Sequence, residues 1–251
     1  MRTKGLLPAQ PNQSLIKGIL CLQTMIFEAR PIGTRELGRR LNLEHTGVNR
    51  LMGTLAAIGL AEKTADCKYQ AGPGIHILAA QSLQSSRLLA CALPYIRTLM
   101  DENLLVSLGV LWRKHVCYLF HGDNRNTLEN GIGASKPFLA FKSSIGTAIL
   151  ASMDRSMAQR LMLQGPDRLS KDEMNLLNRR VNDTIRNGYS MVTHNPASTT
   201  IAVAIGKPAI AGLAFANINL LKIKDKRGYI KRLSGRLSDA VHRIETDLFG
   251  T

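Results

Sequence analysis

The stretch Thr34–Met52, "TRELGRRLNLEHTGVNRLM", decides how the N-terminal part of the chain folds. Two short helical patterns meet at "LNLEH", and Leu37, Leu41, Leu43, Val48 and Leu51 recur at the spacing of one shared apolar core. Thr34 reads as the N-cap of the first helix, with Glu36 near the positive end of its dipole. Gly38 stands where the two helices approach, and a side chain larger than methyl would hold them apart. Asn42 sits at the turn, where a positive φ is needed and Asn tolerates it better than most residues. The pattern is that of a helix-turn-helix.

The second helix, Glu44 to Ile58 with Gly59 as its stop, then has two sides. Val48, Leu51, Met52, Leu55 and Ile58 face inward. His45, Thr46, Asn49, Arg50 and Gly53 face out near the N-terminal end, the part of a recognition helix that reaches base edges in the major groove. Asn pairs with adenine, Arg with guanine or phosphate, and Thr meets a thymine methyl. Gly53 would let the backbone approach closely. The hairpin signal in "LAEKTADCKYQ" has the size of a wing and places Lys63 and Lys68 near phosphates. Thr34 and Arg35, at the start of the first helix, complete the predicted DNA-contacting set. A helical hairpin with an ordinary polar face is the plain alternative. The joint occurrence of core, small residue, Asn turn and wing favours duplex DNA.

The net charge of +15 agrees with a polyanionic partner but does not locate it: residues 1–84 carry +5 and residues 85–251 carry +10. The densest basic run, Lys222 to Arg243, holds eight basic and two acidic residues. At helical spacing such a run is the ordinary solvated face of a helix, with a second DNA contact as the alternative.

Along the chain, a basic arm over residues 1–13 precedes a helix from Ser14, its cap, to Glu28, with Leu15, Ile16, Ile19, Leu20, Leu22 and Ile26 on one apolar face. "AGPG" at Ala71–Gly74 reads as a turn before a helix reaching Ser85. The winged helix-turn-helix domain is placed at 14–73, a linker helix at 74–85 and an effector-binding and oligomerisation domain at 86–251. That last part reads as a helix (Leu88–Glu102), strands "LVSLGVLW" and "HVCYLFHG", loop "NGIGASKP", and a serine-capped helix at "SSIGTAILASM". Helices at Ser156–Leu163 and Ser170–Asn187 follow, then strands "YSMVT", "TIAVAI" and "AIAGLAFANI", and a helix from Lys226 to Phe249. The order argues for an α+β domain with an antiparallel sheet and packed helices.

Several classes are set aside. The 45% apolar content can fill a core, and no run approaches the roughly 18 residues of a membrane span. The basic N-terminus lacks the apolar stretch of a signal peptide, so a cytoplasmic protein is expected. The four cysteines show no metal or disulfide spacing, and the six histidines no metal-ligand spacing. No metal site and no cofactor is implied. His121 and Asp123 in "HGD" read as a strand-end turn rather than an acid–base pair, because no nucleophile is placed near them. Catalysis is not expected.

These residues carry a resemblance to the IclR family of bacterial transcriptional regulators. "SLIKGILCLQTM", "TRELGRRLNL", "GVNRLMGTLAAIGL" and the wing ending "YQAGPGI" resemble its N-terminal domain over residues 13–85. "LPYIRTLMDE", "SSIGTAILASM", "RNGYSMV" and "TIAVAIGKPAIAGLAFA" resemble parts of its C-terminal domain, in the same order. The resemblance implies a winged helix-turn-helix domain, a linker helix and a GAF-like effector domain. It implies a homodimer or dimer of dimers on operator DNA, most simply a repressor, released or engaged by a small-molecule effector. "EHTG" departs from the segment that usually opens the family's recognition helix, so the operator is not carried over. In members that bind small keto acids, the effector meets backbone groups at the small-residue stretch, an acidic residue after the Gly-Tyr strand and small polar residues on the last strands. Here those positions fall on Ser143, Ser144, Ile145, Thr200, Ala214 and Ala216, with His194 and Asn195 nearest where the carboxylate would stand. The exchange implies an aromatic or mainly apolar acid with a single polar end. The alternative is an architectural or partner-binding protein whose C-terminal domain only oligomerises.

Overall fold

A computed structural model describes residues 10–100, 104–125, 131–132, 138–163, 169–195 and 197–250. The chain divides into two compact units after Ser86. Most of the N-terminal arm, and six of the eight residues of "NGIGASKP", lie outside the described residues.

In the first unit, α1 (Gln13–Glu28) is capped by Asn12, whose Oδ1 accepts from Leu15 N at 2.9 Å. Ser14, expected as the cap, lies inside the helix because the Asn carboxamide two residues earlier already meets the free N–H. The helix buries Gly18, Cys21, Leu22 and Met25, while Leu15, Ile19 and Ile26 of the expected apolar face stay exposed. The helix α2 (Thr34–Leu41) starts from Gly33, so Thr34 is its first residue and not its cap. It ends at Asn42, left-handed at φ 52°. There the chain reverses into α3 (His45–Ala57), capped by Glu44 through Thr46 N and Gly47 N, both at 3.1 Å.

The two helices meet at Gly38. Leu43 N donates to Gly38 O at 2.8 Å, and a Cβ on Gly38 would stand 2.9 Å from Leu43 O. Even a methyl is therefore too large there, a stricter demand than the sequence suggested. Leu37, Val48 and Met52 are fully buried in this core, with Leu41, Leu43 and Leu51 packed at its margin. Ile58, expected inside, is 62% exposed because α3 ends one residue before it. Strands β1 (Ala61–Lys63) and β2 (Tyr69–Ala71) form the antiparallel wing, and Ile32 bridges Tyr69 on its other side. "AGPG" is not a separate turn. Ala71 ends β2, Gly72 caps α4 (Pro73–Gln84) and Pro73 opens it, where its missing N–H costs nothing. Helix α4 buries none of its residues in this unit.

The second unit begins with α5 (Arg87–Leu99). Strands β3 (Leu105–Trp112) and β4 (His115–Gly122) form a hairpin whose turn holds Arg113 at φ 54°. A short strand, β5 (Phe138–Leu139), was not foreseen: two residues carry no alternation to read. Helices α6 (Ser144–Ala151), α7 (Arg155–Leu163) and α8 (Lys171–Asn187) follow. Then come β6 (Ser190–Asn195), β7 (Ser198–Ile205), β8 (Ala211–Ile218) and α9 (Lys226–Phe249). The six strands form one antiparallel sheet in the order β5-β4-β3-β8-β7-β6. Helices α5 and α9 pack together, and α9 lies on β7 and β8; α6 packs on the sheet between β7, β8 and α8. The architecture is the expected α+β arrangement. Among the described residues, no helix is long and apolar enough to cross a membrane.

Gly38→Ala is expected to destabilise the first unit by about 1–3 kcal/mol, because the turn cannot widen without parting α2 from α3. Urea denaturation of the full chain measures this; an unshifted midpoint would show that the turn yields freely.

Candidate functional site

The helix-turn-helix presents one exposed polar surface. His45, Thr46, Asn49, Arg50 and Gly53 are all exposed on α3, and a Cβ on Gly53 would meet nothing within 4 Å. Arg35 is exposed on α2. Thr34 is half-buried, and its Oγ1 lies 3.0 Å from His45 Nε2, so these two side chains partner each other across the motif. Arg30 and Arg40 are drawn off by carboxylates: Arg30 Nη2 and Arg40 Nη2 each lie 2.7 Å from Glu36 Oε1, and Arg40 also reaches Glu28. Those bonds hold the Glu36 carboxyl below the usual range, the hydrogen bond from Arg30 most of all. On the wing, Lys68 pairs with Asp66 at 2.7 Å, whereas exposed Lys63 has no ion pair among the described residues. Among the described residues of this unit, the positive charge left without a carboxylate partner sits at Arg35, Arg39, Arg50 and Lys63, with Lys17 apart from them on α1.

The second unit holds a cavity of about 310 Å³ between the sheet and the start of α6. Ser143, Ser144, Ile145, His194, Thr200, Ala214 and Ala216 line it. Asn195 does not: its Oδ1 turns away to accept from Ala197 N at 2.9 Å, closing the β6–β7 turn. The lining also includes Ser107, Tyr118, His121, Phe138, Ser198 and Asn217, which the sequence did not bring together.

Sheet register explains their arrival. Ser107 pairs with Ala214 on one side and His121 on the other, so all three lie in one row across the sheet and on one face. Tyr118 and His121 are three apart, and a regular strand would send them to opposite faces. The register shift between Leu108 and Gly109 absorbs one residue of β4 and turns both inward. A second irregularity, between Thr199 and Ile201, sits beside Asn217 at φ 56° and opens the sheet at Thr200.

The polar groups of the cavity are arranged at two places. At the α6 start, Ser143 Oγ accepts from Gly146 N at 3.3 Å, and Thr147 N donates to Ser143 O at 2.9 Å. The N–H groups of Ser144 and Ile145 have no acceptor among the described residues, at the positive end of a helix dipole. On the sheet, Ser107 Oγ lies 2.8 Å from His121 Nδ1, and the Tyr118 ring stands 5.3 Å from the His121 ring. Burial pushes the Tyr118 hydroxyl up and the His121 imidazole down. His121 is thus neutral near pH 7. Asp123 of "HGD" is buried and engaged by Arg125, which holds its carboxyl below the usual range. At the mouth, the rings of Phe138 on β5 and His194 on β6 meet edge-on at 6.2 Å. These strands are the two edges of the sheet, so the sheet curls until its edges touch.

No protein-family model and no curated protein matches the chain. Solved structures do. The chain is similar to an IclR family transcriptional regulator from Brucella abortus, with a TM-score of 0.81 at 21% identity over 97% of this chain and 96% of that one. It is similar to an IclR homologue from Microbacterium hydrocarbonoxydans in complex with 4-hydroxybenzoate, with a TM-score of 0.67 at 21% identity over 95% and 100%. An IclR transcriptional regulator from Alicyclobacillus acidocaldarius gives 0.71 at 16% identity over 95% and 99%. At this identity the likeness shows the fold: a winged helix-turn-helix unit and a GAF-like unit arranged in sequence as in IclR regulators.

The depressed His121 value sets a pH dependence. Burial lowers it from an ordinary 6.5, so its contribution to stability is complete above about pH 6.5. As the pH falls below that, the unfolded chain takes up the proton first and stability drops until the folded value is passed. Denaturation curves between about pH 8 and 5 are expected to fall less steeply for His121→Gln than for the wild type. Parallel curves would show that the imidazole is not held neutral.

Proposed function

We propose that this protein is a transcriptional regulator whose winged helix binds operator DNA and whose cavity takes a small aromatic acid. The observation that carries the DNA reading is the exposed half of α3. It presents Thr46, Asn49 and Arg50 beside an open Gly53, next to a wing whose Lys63 has no carboxylate partner among the described residues. Asn and Arg read base edges, and an unneutralised wing lysine suits a phosphate. The fold shared with IclR regulators supports this reading. Repression, in the cytoplasm, is the expected mode of action.

One such helix reads only a few base pairs, too few to select a genomic site, so a homodimer or a dimer of dimers is required. Ile77 and Leu78, 56% and 55% exposed on a helix that buries nothing in its own unit, are the apolar surface for a second copy. The half-buried Ile16 and Leu20 of α1 extend this set.

A cavity of about 310 Å³ stands at the small end of ligand sites and suits a one-ring molecule. The free N–H groups of Ser144 and Ile145 suit its carboxylate, and Ile145, Phe138 and Ala214 offer apolar walls. The presence of Ser107, Tyr118 and His121 revises the expectation of a single polar end: the ligand that fits carries a second polar group. One structural neighbour was solved with 4-hydroxybenzoate, a molecule of that class.

On operator DNA, Asn49→Ala and Arg50→Ala are each expected to cost about 1–3 kcal/mol in a mobility-shift titration. Lys63→Ala is expected to weaken all duplexes alike and to flatten the salt dependence by about one unit. Unchanged affinity in both α3 variants would reject the groove assignment. Calorimetry with hydroxybenzoates is expected to show binding that Ala214→Asp abolishes, with operator binding of the unliganded variant intact. Tight binding of glyoxylate or pyruvate with none by aromatic acids would overturn the ligand class.

A further inference from the structure

Among the described residues, the largest concentration of unpaired charge lies outside both sites. Lys222, Lys224, Lys226, Arg227, Lys231 and Arg232 are all exposed within eleven residues leading into and along the first turns of α9. None forms an ion pair among the described residues; Arg232 lies 5.1 Å over the Tyr229 ring. The one carboxylate in the stretch, Asp225, is spent on capping, with its Oδ1 accepting from Gly228 N at 2.9 Å. The elements α9 packs on add no acid, since α5, β7 and β8 contain no Asp or Glu, and α5 adds exposed Arg97. Further along α9, Glu245 bonds Gly206 N and Asp247 bonds the Tyr95 hydroxyl.

This arrangement opposes the helix it decorates. Cations belong at the negative, C-terminal end of a helix dipole, yet Lys226 and Arg227 occupy the first turn, with Lys222 and Lys224 just before it. A merely solvated face has no need of that placement. A polyanion resolves it by pairing its phosphates with these cations, since the helix end itself is already met by Asp225. The chemistry is that of phosphate rather than base contact. Four of the six side chains are lysines, point charges on flexible stems, and no Asn or Gln accompanies them. A lipid surface fits less well: Ile230, Leu233 and Leu237 of α9 are buried in the unit's own core, leaving Leu221 as the large apolar side chain beside the cluster that is free to insert.

We propose that this basic face of the second unit is an additional duplex-DNA contact, taking backbone phosphates without regard to sequence. It rests on the regulator reading for the choice of DNA among polyanions. The full chain is titrated by fluorescence anisotropy against a random duplex of about 40 base pairs, from roughly 50 to 300 mM salt. The compared variants are Lys222→Gln/Lys224→Gln/Lys226→Gln/Arg227→Gln and Arg50→Ala/Lys63→Ala. The four-glutamine variant is expected to lose at least about tenfold in affinity at the lowest salt, and its slope against log salt to flatten by about 2–4 units. Its Tm should stay level or rise, since the removed cations opposed the dipole. If the Tm falls, Lys222→Gln/Lys224→Gln, which lies before α9, gives the same test with about half the change in slope. If only Arg50→Ala/Lys63→Ala weakens binding, the proposal fails and the regulator reading stands. If the wild-type chain binds no duplex, both fail. If the glutamines abolish binding to phosphatidylserine–phosphatidylcholine vesicles and leave duplex binding untouched, the face serves a membrane and the proposal is overturned.

Discussion

The second unit depends on one close approach. Gly109 and Gly212 face each other across β3 and β8, and the Ile145 side chain fills the notch they leave. A Cβ on Gly212 would stand 2.9 Å from Ile145 Cγ2, and one on Gly109 only 2.7 Å from Val116 Cγ1. The next residue, Gly146, is packed against the preceding turn so tightly that a Cβ would fall 2.2 Å from Ala140 O. Glycine inside a strand loses conformational entropy, about 0.5–1 kcal/mol each. Here that loss lets the start of α6 settle onto the middle of the sheet. The cavity wall, the free N–H groups of Ser144 and Ile145, and the buried packing of Ile149 and Leu150 all follow from this contact.

Much of the fold was legible because its signals are local. The strands Leu105–Trp112 and His115–Gly122 and the helix Lys226–Phe249 stand where alternation and periodicity put them. So does the left-handed Asn42, since few residues accept that conformation. The caps differ from the expectation by one or two residues: Asn12 competes with Ser14 for the same free N–H, and at Thr34 the helix starts from Gly33 with no side-chain cap at all. The cavity was less legible, because pairing register is not written in one strand. Ser107 is a lone hydroxyl in an apolar run, which was a usable signal. Its row with Ala214 and His121 needs both partners of β3 to be known. Tyr118 needs the bulge as well, and two residues of β5 had no pattern at all.

Charge is partitioned by neighbours rather than by composition. The first unit spends Arg30 and Arg40 on Glu28 and Glu36, a network tying α1, the turn after it and α2. Its members are partly exposed, so its worth lies in orientation more than in stability. Among the described residues, the cations that remain face solvent on α2, α3 and the wing, with Lys17 on α1 besides. In the second unit, the carboxylates of α9 near its C-terminal end are bonded back to the sheet turn and to α5, which leaves the opposite end with six exposed cations around the single carboxylate of Asp225.

The 3.0 Å contact between Thr34 and His45 joins the first residue of α2 to the first residue of α3. The bond restrains the His45 ring, which stays exposed on α3. Its rotamer freedom is reduced when the motif folds, so less of it remains to be lost to any group that meets the ring. The bond also occupies Nε2, so only the other ring nitrogen is left to a newcomer unless Thr34 is displaced. The ring thus presents one edge to solvent, and the fold has set which edge that is.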